Sequence, residues 1–190
     1  MPPPLVLASS SPRRLMLLAQ IGLTPDRVIT PDVNEAARPG ELPRPYAVRM
    51  ARDKAAAIPC PGSLVLAADT VVAVGRRILP KAETMDDVRS CLRLVSGRRH
   101  RVLTAVALIA TNGKRSERLS ESTVTFNRLT EEQIERYAAC GEGLGKAGGY
   151  AINGQVASLV RAMTGSFSGI VGLPLFETAQ LLRAHGYRIP

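Results

Sequence analysis

The sequence contains no tryptophan, few other aromatic residues and only two histidines. Three Phe and four Tyr bring the aromatic share of its 190 residues to 4%. A core must therefore be built from aliphatic side chains, and little aromatic surface is left on which nucleic-acid bases would stack. The histidines, His100 and His185, are too few and too far apart in the chain to form a histidine-based metal site.

Cysteine and long apolar runs are equally scarce. The three cysteines lie at positions 60, 91 and 140, an odd and widely spaced set that fits neither a disulfide framework nor a CxxC metal site. This usage is typical of a reducing compartment, so we expect a cytoplasmic protein. The longest uncharged run late in the chain, residues 162–176, contains three glycines and a proline. It is shorter than the roughly 20 apolar residues that span a bilayer, so we expect no membrane partner.

Positive charge, in contrast, is abundant. Lys and Arg number 25 against 16 Asp and Glu, which gives a formal net charge of +9, and such a chain attracts anions. The basic residues are spread in pairs such as Arg13-Arg14 and Arg98-Arg99, a distribution typical of local anion sites and solvated faces rather than of a basic tail. Hydrophobic residues make up 45% of the chain, enough to bury a core. The length predicts a single domain over residues 1–190.

Strand and helix signals alternate along the chain and predict an α/β fold. Ser11 followed by Pro12 is typical of a helix start, and Asn112-Gly113 between two β-rich segments predicts a hairpin. The hairpin requires an antiparallel strand pair, so the predicted sheet is mixed. The predicted strands are residues 5–8, 64–74, 100–110, 117–127 and two short strands within 148–161. The predicted helices begin after Ser11 and cover 46–58, 84–95, 130–140 and 174–185, with an irregular stretch at 24–45.

The segment after the first strand concentrates groups that bind anions. Ser9, Ser10 and Ser11 precede a helix N-terminus, whose free N–H groups and partial positive charge suit a phosphate, and Arg13 and Arg14 follow. The same residues also fit an ordinary helix cap beside two solvated arginines. The spacing leaves both interpretations open.

Asp69 interrupts the most apolar segment of the chain, residues 64–74. A carboxylate buried there is costly unless it has a partner. At the end of a strand it can hold a metal ion or activate a water molecule. The alternative is a strand that ends at Ala68, with Asp69-Thr70 in a turn.

Lys146 lies in a glycine-rich segment that resembles a P-loop only superficially. The GxxxxGKS/T pattern requires Gly at position 140 and Ser or Thr at position 147, where this chain has Cys140 and Ala147. The segment is therefore interpreted either as a backbone cradle for phosphate or as a flexible connection. His100 follows two arginines and is interpreted as a solvated strand start.

Five blocks together resemble the Maf family of nucleoside triphosphate pyrophosphatases, in the family's order and spacing across nearly the whole chain. They are residues 7–14 (LASSSPRR), 68–72 (ADTVV), 94–100 (LVSGRRH), 146–152 (KAGGYAI) and 172–174 (GLP). The resemblance implies a mixed, strongly twisted central sheet flanked by helices, with two lobes around a nucleotide cleft, as in inosine triphosphatases. It implies hydrolysis of a nucleoside triphosphate to the monophosphate and pyrophosphate, with a divalent cation, Mg²⁺ or Mn²⁺, as cofactor.

The resemblance also implies roles for individual residues. Asp69 stands at the position of the proton acceptor that activates water, and Glu35 at that of a second acidic residue that helps to hold the metal ion. The remaining positions would bind the phosphates or the base of the substrate. They are Ser9, Ser11, Arg13, Arg14, Lys54, Thr70, Lys81, Lys146 and Asn153.

Within the family, Arg13, Thr70 and the block at 146–150 resemble the subgroup that acts on dTTP and UTP. The subgroup that acts on 7-methyl-GTP typically has Trp after the proline and Gln after the aspartate. Two positions depart from the family pattern: Asn153 stands where Gln is usual, and Ala82 rather than Pro follows Lys81. Asn carries the same amide on a shorter stem, so this departure concerns the preferred base rather than hydrolysis.

Other functions are kept as alternatives to dTTP and UTP hydrolysis. One is a pyrophosphatase for another base such as 7-methyl-GTP. Another is a nucleotide-binding regulator of cell division without turnover, a role to which the family has been linked. Charge alone also fits a nucleic-acid-binding protein, but the sequence has no basic helical stripe, so no nucleic-acid partner is expected. A homodimer is common in the family.

Overall fold

The computed structural model describes residues 2–189, which form one mixed sheet flanked by helices. The strands are β1 (Leu5–Ala8), β2 (Arg27–Ile29), β3 (Leu64–Val74), β4 (Arg77–Leu79), β5 (Arg99–Ile109), β6 (Arg115–Phe126) and β7 (Val160–Thr164). The helices are α1 (Pro12–Gln20), α2 (Pro43–Ala56), α3 (Met85–Val95), α4 (Glu131–Ala139), α5 (Phe167–Val171) and α6 (Leu175–Arg183), with a 3₁₀ helix at Gln155–Leu159. Their arrangement confirms the predicted mixed α/β class.

The described residues form a seven-stranded sheet. Six strands follow the order β2-β1-β3-β5-β6-β7, and the seventh, β4, pairs with β3. β1 runs parallel to both of its neighbours, whereas β3, β5, β6 and β7 pair antiparallel. The hairpin predicted at Asn112-Gly113 joins β5 to β6, as expected. None of the helices formed by the described residues combines the length and hydrophobicity needed to cross a bilayer.

The central strand β3 is buried on both faces, which explains its continuous apolar sequence. Leu64, Leu66 and Ala68 pack with α1 and α6 on one face. Val65 and Ala67 pack with α2 on the other face. A third apolar cluster contains residues of α3 and α4, together with residues from the start of β5 and the end of β6.

The edge of β3 that faces β1 is interrupted at its middle. β1 pairs with residues Leu64–Ala67 of β3, and β4 pairs with residues 72–74. The intervening residues 68–71 have no strand partner on this side within the described chain. Because β1 ends at Ala8 and the chain then turns into α1, this gap opens a space between the two strands that holds Asp69 and Thr70.

Three helix starts show why local sequence signals were informative. Ser11 has the extended backbone of an N-cap and Pro12 opens α1, although the Ser11 side chain makes no capping hydrogen bond. Thr84 and Asp87 form a capping box at α3, and Thr130 and Gln133 form another at α4.

Other predictions differ from the structure. Helix α2 begins at Pro43 rather than Tyr46, because Pro43 and Pro45 both lie in the first turn, where a missing N–H breaks no helical bond. The prediction of two short strands within 148–161 was wrong. This segment is a loop followed by the 3₁₀ helix, and only the start of β7 lies in it. β4 and α5 were not predicted, since neither is longer than five residues.

Candidate functional site

A cleft of about 300 Å³ opens at the gap in β3. It is bounded by the turn after β1, by the middle of β3, and by the glycine-rich loop after α4. All eleven residues for which the family resemblance implied a role line this one cleft. They are Ser9, Ser11, Arg13, Arg14, Glu35, Lys54, Asp69, Thr70, Lys81, Lys146 and Asn153.

The turn after β1 presents the positive end of α1 to the cleft. The buried Ser9 hydroxyl accepts hydrogen bonds from the Ser11 backbone N–H at 3.1 Å and from Arg14 Nη1 at 3.1 Å. Arg14 Nε also donates to the Gly172 carbonyl at 2.8 Å, so this side chain is fixed in place. Burial lowers the pKa of the Arg14 guanidinium, but an arginine stays charged at neutral pH. The Arg13 side chain makes no hydrogen bond or ion pair in the described part of the chain.

Asp69 lies on the central strand with a buried cation beside it. The strand continues through Asp69 to Val74, so the interpretation of a turn at this position was wrong. Lys54, on α2, places its Nζ 2.6 Å from Asp69 Oδ1 and 2.6 Å from Glu35 Oε1. The side chains of Lys54 and Asp69 are each only 7% exposed, which is how the carboxylate is tolerated in an apolar strand.

Glu35 lies on the loop before α2, more exposed than Asp69, and is held between two lysines. Lys81 contacts its second carboxylate oxygen. Partial burial raises the pKa of Glu35, but hydrogen bonds from Lys54 and Lys81 outweigh this effect and the net pKa is lowered. Tyr46 donates to the Glu35 carbonyl at 2.7 Å and so ties the loop to α2. Burial, together with the Asp69 and Glu35 charges, raises the pKa of the Tyr46 phenol to about 12.

The donor set fits a hard divalent cation that is shared with a substrate. Glu35 and Asp69 contact the same ammonium group, and both line the cleft. Among the described residues, no group of three or more His, Cys, Asp or Glu side chains is arranged to hold a metal ion. Two carboxylates without a complete protein cage match Mg²⁺, which is usually bound by one or two carboxylates together with substrate phosphates.

The opposite wall of the cleft is the loop that carries Lys146, and it is well fixed. The Gly145 N–H donates to the Ala82 carbonyl at 2.7 Å, and the Ala82 N–H donates to the Lys146 carbonyl at 3.1 Å. Gly148 has φ +70°, and a Cβ there would lie 2.8 Å from the Val72 side chain. The glycines therefore allow close packing against β3, so the interpretation as a flexible connection was wrong.

Lys146 directs its ammonium group along this wall. Its Nζ donates to the Leu144 carbonyl at 3.1 Å. Partial burial lowers the pKa of this lysine, and the nearby Arg13 charge lowers it further. An anion placed between Lys146 and Arg13 would relieve their repulsion, so the arrangement favours a phosphate at this point.

Thr70 and Asn153 mark two further edges of the cleft. The hydroxyl groups of Thr70 and Thr104 lie 3.0 Å apart, and Thr104 also donates to the Gly169 carbonyl at 2.7 Å. Asn153 is exposed and makes no side-chain hydrogen bond in the described part of the chain. Its amide is therefore free to meet a ligand.

The backbone beside Asn153 is held by Glu142. The Glu142 carboxylate accepts a hydrogen bond from the Gln155 N–H at 2.7 Å, at the start of the 3₁₀ helix. A Cβ on Gly154 would overlap this carboxylate. The position of Asn153 thus depends on the small size of Gly154 and on the charge of Glu142.

We expect Gly154→Ala to displace Glu142 and break its bond to Gln155. The loss should cost about 1–2 kcal/mol, which lowers the melting temperature by roughly 2–8 °C in a chain of this length. Thermal unfolding of Gly154→Ala, Glu142→Ala and the double variant measures the effect. The substitution at 154 should cost much less once Glu142 is gone, and equal costs in both backgrounds would contradict this explanation.

Sequence reasoning missed the apolar floor of the cleft. Val72, Val102, Tyr150, Ile152 and Ile170 line the cleft and at the same time belong to the cluster around α3 and α4. Nothing in the sequence separates such residues from ordinary core positions. The prediction for His100 was wrong for a related reason: it lies on the inner face of β5 and is 2% exposed.

Comparison with known proteins relates the chain to a protein family. The profile of the family described as Maf-like protein matches residues 4–185. A dTTP/UTP pyrophosphatase of Gluconobacter oxydans is 58% identical over 188 residues, which cover 95% of this chain and 86% of the relative. A protein of the same name from Caulobacter vibrioides is 54% identical and covers 98% of this chain and 97% of the relative.

Solved structures resemble the chain more distantly. A nucleoside-triphosphatase (dITP/XTP pyrophosphatase) from Mycobacterium abscessus is 17% identical with a TM-score of 0.42, and covers 72% of this chain and 92% of that chain. The sequence relationship is the decisive one. With a profile match over nearly its whole length and relatives more than half identical, this chain belongs to the Maf family.

Proposed function

We propose that this protein hydrolyses dTTP and UTP to the nucleoside monophosphates and pyrophosphate. The observation that carries the proposal is the buried Asp69, paired with Lys54 and set in a cleft beside the positive end of α1. The names of the relatives from Gluconobacter oxydans and Caulobacter vibrioides support the choice of substrates. Phosphoryl transfer needs a positioned water molecule and dense positive charge around a polyanion. This cleft supplies the positive charge, and the Asp69 carboxylate is the group proposed to position the water.

Asp69 is the proposed general base. A water molecule attacks the α-phosphorus and forms a new P–O bond, while the bond between the α-phosphorus and the oxygen bridging to the β-phosphorus breaks. The water proton passes to Asp69, and the electron pair of the broken bond leaves with pyrophosphate. Because the Asp69 carboxylate is bound to Lys54 by one oxygen, its other oxygen is available for the water.

Positive groups around the cleft have the proposed role of stabilising the charge on the leaving pyrophosphate. Lys54, Lys81, Lys146 and Arg14 reach the cleft from four different elements of the fold. In the free protein two of these lysines are bound to Glu35. A triphosphate that enters competes for these lysines and thereby releases the Glu35 carboxylate.

Glu35 and Asp69 are the residues that we propose to hold a divalent cation, Mg²⁺ or Mn²⁺. When bound, such an ion neutralises phosphate charge and polarises the bond that breaks. The lysines that leave Glu35 for the phosphates make room for this ion. Metal binding is therefore expected to be weak in the free protein and stronger in the presence of a nucleotide.

A nucleotide panel tests the proposed function. We expect rapid release of pyrophosphate from dTTP and UTP, with turnover of CTP, GTP and 7-methyl-GTP lower by at least about tenfold, a ratio that one hydrogen-bonding position at the base supplies. Pyrophosphate is measured with Mg²⁺, with Mn²⁺ and after metal removal by a chelator. Preference for another base would overturn the assignment of Arg13, Thr70 and Asn153. Tight binding without pyrophosphate release under any condition would indicate a regulatory protein.

We further propose that the protein works in the cytoplasm. All three cysteines are free, and Cys91 is buried in the core. Burial raises the pKa of the Cys91 thiol, so this side chain acts as an apolar core residue. Fractionation of the source cells with an antibody against the protein tests the location.

A further inference from the structure

His100 is a buried polar residue that the proposed reaction does not use. Its Nε2 lies 2.7 Å from the Tyr150 hydroxyl, and its Nδ1 has no hydrogen-bond partner among the described residues. Burial lowers the pKa of His100 to about 4, so the imidazole is neutral at physiological pH. Within residues 2–189, the hydrogen bond to Tyr150 is thus the one polar side-chain contact that fixes the ring.

The surroundings of His100 are aromatic in a chain with few aromatic residues. The centroid of its ring lies 5.6 Å from the centroids of both Phe126 and Tyr150, and the Phe126 and Tyr150 rings meet edge to face at 5.2 Å. A pair of apolar side chains of similar size at positions 100 and 150 would fill this space and leave no buried polar group unpaired. Stability alone therefore gives no reason for the hydrogen bond between His100 and Tyr150.

Tyr150 connects this cluster to the cleft. It lines the apolar floor together with Val72 and Val102, and Val102 follows His100 on the same face of β5. In sequence, Tyr150 lies between Lys146, on the proposed phosphate side, and Asn153, on the proposed base side. A different orientation of its ring would change the shape of the apolar floor between them.

We propose that His100 is a positioning residue, which holds Tyr150 so that the apolar floor fits the pyrimidine base of the substrate. The inference rests on the proposed function and adds a residue that acts on base binding through Tyr150. Loss of this contact should lower the affinity for the substrate and weaken the preference for its base. The turnover number of the bound substrate should change little.

The test is a pair of substitutions that removes both polar partners together. In His100→Leu/Tyr150→Phe no buried group loses its partner, so the double variant should unfold at nearly the wild-type temperature. We expect its KM for UTP to rise about three- to tenfold, the range of one hydrogen bond. We expect kcat within about twofold of wild type and a smaller preference for UTP over CTP. The affinity of a non-hydrolysable UTP analogue should fall by the same factor as KM rises.

Two further variants separate positioning from stability. His100→Gln keeps an amide group, which can donate or accept a hydrogen bond, near the position of Nε2 and should recover part of the lost affinity. Ile134→Val alters the same apolar cluster away from the cleft, and should lower the melting temperature without changing KM. A double variant with wild-type KM and wild-type base preference would overturn the role of His100. Failure of the wild-type protein to hydrolyse any nucleotide would instead overturn the proposed function.

Discussion

Replacing Asp69 with Asn is expected to lower the turnover number for UTP by about a thousandfold, within the range that general bases contribute. Asn has nearly the same volume and still accepts a hydrogen bond from Lys54, whose Nζ lies 2.6 Å from Asp69 Oδ1. It does not take a proton from water. In the absence of a divalent cation, a non-hydrolysable UTP analogue should bind as well as to the wild-type protein or more tightly, because one negative charge beside the triphosphate is lost. Pyrophosphate release and calorimetric titration measure the two quantities.

Asp53→Asn is the matched control for this variant. Asp53 precedes Lys54 on α2, is partly exposed and faces Arg49 at 3.5 Å, so the substitution makes the same chemical change outside the cleft. Its turnover number should equal that of the wild-type protein. If Asp69→Asn retains turnover within about tenfold of wild type, Asp69 is not the general base.

Local sequence signals predicted most of the fold. The apolar run of β3 ends where predicted, because a strand covered by helices on both faces needs no polar residue until it leaves the core. The helices after Thr84 and Thr130 were predictable because capping boxes satisfy their first N–H groups. The loop before the 3₁₀ helix was not predictable in this way. The shape of this loop depends on contacts with two side chains outside it. Val72 is distant in sequence, and Glu142 lies across a turn.

The candidate site was only partly accessible to sequence reasoning. Asp69 stood out because a carboxylate interrupted an apolar run, but its burial is tolerated only through Lys54 on another element. Glu35 lies on an irregular loop with no local signal, and the family resemblance alone pointed to it. His100 and Tyr150 were missed because one hydrogen bond between distant segments determines their environment. The gap in the pairing of β3 could not be predicted from the sequence, because it depends on where β1 and β4 end.

Removing the buried cation with Lys54→Met is expected to destabilise the free protein strongly. The Glu35 and Asp69 carboxylates would lose the ammonium that both contact at 2.6 Å, and breaking a buried ion pair on one side costs about 3–5 kcal/mol. That loss lowers the melting temperature by roughly 6–20 °C for a chain of this length. Lys81→Met makes the same change at a half-exposed lysine that binds the same Glu35, and it should cost no more than about 1 kcal/mol.

The same two variants test the proposed metal site without any measurement of activity. Without Lys54, the two carboxylates form an uncompensated pair of negative charges, which a divalent cation can neutralise. Mn²⁺ should therefore raise the melting temperature of Lys54→Met by several degrees more than that of the wild-type protein, where the lysine competes for the same oxygens. Lys81→Met leaves Lys54 in place and should respond to Mn²⁺ much as the wild-type protein does. Equal responses of all three proteins would show that Glu35 and Asp69 do not form the cation site, whatever their part in hydrolysis.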